Sequence, residues 1–212
     1  QLKFYVFLIF FFTFFLFFFE IFFKNYDFFS AIKISLFYVV SIVSSTGFDL
    51  QVNSLGMLPT IIFIFLMFIG GCSASSSTGL KIVRVIVLLR YIPVSLKRIF
   101  HPRAIIPVRY NGKALRDESV RLIFGFFFLF LLLFIAGAFL LSIFGNGFIA
   151  SLSLSAAAIS NMGPIMGSIA QGFEYADLNL VSKYVLIVLM LIGRLEIYAF
   201  FALFSKSVWS RN

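Results

Sequence analysis

Apolar residues run almost unbroken through Leu2–Phe23, Leu122–Phe144 and Leu180–Phe204, and for a shorter distance through Met57–Gly71. A helix crossing the hydrocarbon core needs roughly 17–25 residues. The three long runs therefore predict transmembrane helices, and the Met57 run predicts a short one that ends in a polar break. Two more apolar stretches, Phe29–Val43 and Phe148–Ile159, are too short to cross and too apolar for solvent. Each leads into a polar turn with a glycine: Ser44-Ser45-Thr46-Gly47-Phe48 in one case, Ser160-Asn161-Met162-Gly163-Pro164 in the other. Span, half-span, glycine turn, span is thus written twice. Superposing Gly47 on Gly163 aligns Ser44 with Ser160 and Val43 with Ile159. The identity is slight, and the order of elements carries the inference.

Irregular backbone is tolerated at membrane depth only where protein buries it or a water-filled path runs beside it. A glycine there lets carbonyls turn toward an axis and replace an ion's hydration shell. Ser45, Thr46 and Gly47 in the first unit, and Asn161, Met162 and Gly163 in the second, are therefore candidate filter residues. Their main-chain carbonyls matter most, with the Ser45 or Thr46 hydroxyl as a possible extra ligand. The half-span helices would aim their negative C-terminal ends at the same point. An ordinary pair of extracellular loops is the alternative reading of both turns.

Gly70-Gly71-Cys72-Ser73-Ala74-Ser75-Ser76-Ser77-Thr78-Gly79 holds almost no large apolar side chain, and Leu80–Arg90 then resumes helical spacing. Small polar residues in mid-membrane allow close helix packing. They also suit a hinge or gate, because few large contacts hold such a segment in place. Both readings stand on sequence alone. Arg194 lies in the apolar Leu186–Phe204 run, two residues before Glu196. A charge at that depth costs at least ~2.5 kcal/mol and points to function by default. Asn179–Arg194 and Leu55–Gly70 have equal lengths, so at ~1.5 Å per residue Arg194 and the break lie at one level, about 22 Å below the helix starts. A cation there would oppose cation passage. A structural pair with Glu196, or an interhelical pair, is the alternative; residues two apart on one helix do not face each other.

Composition confirms the solvent. Hydrophobic residues make up 62% of the chain and charged residues 12%, against about 45–50% and about 25% in a soluble domain. The net charge of +9 could suggest nucleic acid, but ten of the seventeen Lys and Arg fall between Lys81 and Arg121. That is the positive-inside pattern of a cytoplasmic loop, with the lipid bilayer and not nucleic acid as the partner. Pro93, Pro102, Pro107 and Asn111-Gly112 mark it as a linker. The chain divides into a first unit at 1–90, a basic linker at 91–119 and a second unit at 120–212. Cys72 is the single cysteine and His101 the single histidine, which leaves no internal disulfide and no His/Cys metal cluster.

Several strings together resemble the C-terminal half of the membrane subunit of bacterial Trk-type potassium uptake systems, the TrkH/KtrB/HKT superfamily. They are Ser44-Ser45-Thr46-Gly47-Phe48, Gly70-Gly71-Cys72 leading to Lys81 and Arg84, His101-Pro102-Arg103-Ala104, Asn161-Met162-Gly163-Pro164 and Gly193-Arg194-Leu195-Glu196. The resemblance implies an all-α membrane protein with two helix–pore-helix–helix repeats, units three and four of a four-fold pseudosymmetric cation channel. It implies K+ as the transported ion, taken up across the cytoplasmic (inner) membrane by a multi-pass protein. Gly47 and Gly163 match filter glycines, Arg194 the pore arginine, and Gly70, Gly71, Cys72, Ser75, Thr78 and Gly79 fall in the gating loop. A homodimer of the full subunit and a cytosolic nucleotide-binding, TrkA-like ring are the implied partners. The gating loop is poorer in glycine than is usual, and Ile165 stands where the family commonly has glycine.

Two filter strands cannot enclose an ion, so the N-terminal half or a second copy is expected to complete the pore. An ion-coupled secondary transporter also uses broken helices, but intramembrane carboxylates for proton coupling are nearly missing, with Glu196 the one expected to be available. A nonfunctional remnant is the other alternative. An enzyme is not expected: Ser73 lacks a nucleophile-elbow setting, and His101 lies in the basic loop.

Overall fold

The computed structural model describes residues 2–50, 56–71, 78–101, 106–163 and 175–203. Helix α1 (Leu2–Lys24) turns Phe7, Phe10, Phe14, Phe18 and Phe22 outward and buries Leu8, Leu16 and Glu20. Lys24 lies 3.7 Å from Glu20, one turn earlier on the same face. Helix α2 (Phe28–Val43) folds back against α1. Its buried residues Ala31, Ser35, Tyr38, Val39 and Ile42 recur at helical spacing.

Helix α3 (Met57–Ile69) starts with Pro59 in its first turn, where the missing N–H leaves no intrahelical bond unmade. It packs on α2 and also on the short helix of the second unit. Helix α4 (Ile82–Phe100) continues ten residues past Arg90, into the stretch that the sequence marks as linker, and it contains Pro93. Pro93 and Leu89 both sit on the exposed side, so the carbonyl freed by the missing N–H is not stranded in the core. The far half of α4 is held by Arg98, which donates to the Ile106 carbonyl at 2.8 Å and to Asp117 at 3.2 Å. Strands β1 (Arg109–Tyr110) and β2 (Lys113–Ala114) pair around Asn111 and Gly112, at φ 49° and 79°. That is the expected chemistry of a two-residue hairpin turn.

Helix α5 (Asp117–Ile143) opens with Asp117 and Glu118, whose charges suit a helix N-terminus. Helix α6 (Phe148–Ser160) packs against α5, α3 and the helix Leu180–Arg194, and every residue from Ser153 to Ser160 is buried. Helix α7 (Leu180–Arg194) and helix α8 (Ile197–Leu203) meet at a bend of 104°. The straight span expected over Leu180–Phe204 is thus broken: Glu196 takes φ 59°, and that single left-handed residue redirects the chain. Arg194 consequently stands at a helix C-terminus, where its charge is favoured, and not in mid-helix. Helices α1 and α5 are long and apolar enough to cross a bilayer, with mean hydropathies of 2.6 and 2.8, and the bent α7–α8 pair qualifies as a third crossing.

Candidate functional site

Helices α2 and α6 end alike. The Ser45 N–H donates to the Ile42 carbonyl at 3.0 Å and Thr46 N–H to that of Ser41 at 3.0 Å. One repeat later, Asn161 N–H donates to Ala158 at 3.2 Å and Met162 N–H to Ala157 at 3.1 Å. Both are the paired terminal bonds of a Schellman ending. The dihedrals agree too: Ser45 and Asn161 have φ 57° and 50°, and Gly47 and Gly163 both have φ 74°. In a trans peptide the carbonyl of one residue points opposite to the next residue's N–H. Since the N–H groups of Thr46 and Met162 point back into their helices, the Ser45 and Asn161 carbonyls point away from them.

The two turns touch. A Cβ on Gly47 would overlap the carbonyl oxygen of Met162, whereas none of the described residues comes within 4 Å of the Cβ position on Gly163. Met162 is buried, and the buried Ser45 hydroxyl has no partner among the described residues. Thr46 keeps its hydroxyl on the exposed side, 2.7 Å from that of Ser44. The second turn is fastened at its back, where Asn161 Nδ2 donates to the Met190 carbonyl at 3.1 Å. Gly193 permits this approach, because a Cβ there would strike the Ile159 carbonyl. On the outer side, the Tyr175 hydroxyl donates to the Gly163 carbonyl at 3.4 Å. Burial pushes that phenol up to about 12, so it stays a donor at neutral pH.

The polar break has its two ends side by side. Leu80 N–H donates to the Phe68 carbonyl at 3.2 Å, and Ile82 N–H to that of Gly71 at 3.1 Å. Gly70 (φ 63°) and Gly79 (φ 96°) face each other there, and a Cβ on Gly70 would come 2.7 Å from the Thr78 carbonyl. Cys72 and Ser75 lie outside the described residues. Thr78 donates its hydroxyl to the Ser160 carbonyl, which ties this end of the break to the base of the second turn.

A cavity of about 90 Å³ opens here, lined by Thr78, Gly79, Lys81, Arg84, Gly193, Arg194 and Glu196 among others. Arg194 and the break therefore share one level, as their distances along the chain predict. Glu196 pairs between helices: its carboxylate lies 3.0 Å from Lys81 Nζ and 3.9 Å from Arg84 Nη2. Arg84 also lies over the Phe126 ring at 3.8 Å. The single face carrying Lys81 and Arg84 is legible in the spacing, but their partner is not. Sequence reasoning also missed a pair behind the first turn. Tyr38 donates its hydroxyl to Asp49 Oδ1 at 2.7 Å, and Ser41 donates to the Phe48 carbonyl at 2.9 Å. The available signal was Tyr38-x-x-Ser41, two polar groups three apart on an apolar helix.

Long apolar helices carrying two glycine-bearing turns that meet define an almost wholly helical integral membrane protein. Residues 2–211 match the family model TrkH, described as cation transport protein. The chain belongs to this family of cation transport proteins, which is not a family of enzymes. It is 32% identical over 192 residues to the Trk system potassium uptake protein TrkH of Halomonas elongata, covering 89% of this chain and 39% of that protein. Against TrkH of Escherichia coli K12 the identity is 32%, with 84% of this chain and 37% of that protein covered. The crystal structure of the potassium transporter TrkH from Vibrio parahaemolyticus superposes with a TM-score of 0.86 at 31% identity, over 97% of this chain and 44% of that one. The chain thus spans well under half the length of these relatives.

Proposed function

We propose that this chain is the downstream half of a K+ uptake subunit in the cytoplasmic membrane, contributing two of the four strands of a carbonyl-lined filter. The observation that carries this reading is the matched backbone of Ser45–Gly47 and Asn161–Gly163, in contact through Gly47 and the Met162 carbonyl. Two helix ends converge there, and their partial negative charges favour a cation. The described residues leave the Cβ side of Gly163 clear, and in this reading the strands of an upstream half or a second copy complete the filter there. Residues 1–90 and 120–212 form the two pore units in this reading, and the basic 91–119 segment faces the cytoplasm.

Beneath the filter, Gly70, Gly71, Cys72, Ser75, Thr78 and Gly79 belong to the gate, and Arg194 supplies a cation that opposes K+ until the gate moves. The basic segment is the docking surface for a TrkA-like nucleotide-binding ring on a homodimer of whole subunits. The test is growth rescue of K+-uptake-deficient cells at micromolar K+, with the upstream half co-expressed, comparing wild type with Gly163→Ser. Rescue by wild type and its loss in the variant support a K+ filter at Gly163. Rescue untouched by the substitution removes the filter assignment.

A further inference from the structure

Ser41 grips both ends of the first turn. Its carbonyl accepts the N–H groups of Thr46 at 3.0 Å and Gly47 at 3.3 Å, and its hydroxyl donates to the Phe48 carbonyl at 2.9 Å. Three residues earlier on the same face, Tyr38 is fully buried and donates to Asp49 Oδ1 at 2.7 Å. The Tyr38 ring is itself fixed by stacking on Phe63 of α3, with centroids 5.5 Å apart and planes at 29°. The backbone at residues 46, 47 and 48 and the side chain of Asp49 are thus anchored to one helix face.

Among the described residues the second turn shows no counterpart of this brace, and the positions aligned with Phe48 and Asp49 lie outside them. With Gly163 on Gly47, Tyr38 aligns with Leu154 and Ser41 with Ala157. Neither carries a hydroxyl, although α6 ends in the same backbone geometry as α2. The helix ending therefore does not require the side-chain bonds, and they serve the strand that follows it.

We propose that Tyr38, Ser41 and Asp49 are positioning residues that fix the first turn and thereby set its preference for K+ over Na+. The proposal rests on the filter reading above. A charged carboxylate held by a buried phenol is a stiff tie, and discrimination between ions of different size depends on how far the carbonyls can follow the smaller one.

The test measures the ratio of K+ to Na+ uptake in the co-expressed, two-part subunit, for wild type, Tyr38→Phe, Asp49→Leu and Asp49→Asn. The ratio does not depend on how much protein reaches the membrane. Tyr38→Phe and Asp49→Leu are each expected to lower it about tenfold, the worth of a hydrogen bond to a charged group. Asp49→Asn keeps a carbonyl acceptor without the charge, about half the strength of the tie, and is expected to lower it only about threefold. The Tyr38→Phe/Asp49→Leu double variant should be no worse than either single one. A selective wild type whose ratio survives Tyr38→Phe, or variants that lose both ions in parallel, would overturn the brace. A wild type that does not discriminate the two ions would overturn the filter reading beneath it.

Discussion

Gly47 and Gly163 share a φ of 74° but not a neighbourhood. An alanine at either position takes on left-handed strain of about 1–2 kcal/mol. At Gly47 the new methyl also meets the backbone carbonyl of Met162, and backbone held by two helix ends has nowhere to move. Gly163→Ala is therefore expected to cost about 1–2 kcal/mol in a detergent unfolding assay, and Gly47→Ala clearly more. Equal losses would mean that the two turns do not press on each other. Asn161 separates two effects in one residue, a left-handed φ of 50° and a side-chain bond to Met190. Asn161→Gly removes only the bond and should cost about 1 kcal/mol. Asn161→Ala adds the strain and should cost about 2 kcal/mol in the same assay.

Where an element was legible, its signal was local. The limits of α1, α2 and α6 and the end of α5 follow from apolar run length and from the turn residues that end them, whereas α5 begins at Asp117, ahead of its apolar run. Asn111-Gly112 announced its hairpin by the same kind of rule. Two features escaped because distant contacts decide them. Helix α4 survives Pro93 through Arg98, whose partners Ile106 and Asp117 come from further along the chain. The bend between α7 and α8 leaves Glu196 facing Lys81 and Arg84, from the other unit. Run length alone cannot see either. Lys81 and Glu196 are 23% and 54% exposed, so that tie is worth at most about 1 kcal/mol. Glu196→Gln should accordingly leave the protein folded and change K+ uptake by no more than about fivefold. Exchanging the charges, Lys81→Glu with Glu196→Lys, should restore most of the change; a complete loss of uptake in Glu196→Gln would assign the carboxylate some other role.

At the scale of the whole molecule, contact between α3 and α6 and the Thr78–Ser160 bond join the two units into one body. The outward Phe residues of α1 suit lipid, whereas the turns present open space on one side. The chain reconstituted alone in vesicles should accordingly give no K+-selective flux, and flux should appear when the upstream half is added. Selective flux at low copy from the chain alone would mean that two turns suffice. The adjoining ends of the polar break bear on heredity as well as on mechanism. With Phe68 bonded to Leu80 and Gly71 to Ile82, the end of α3 and the start of α4 are clasped through backbone groups alone. Any substitution short of proline at Leu80 or Ile82 keeps those bonding groups, so the clasp can be inherited unchanged while the side chains around it drift.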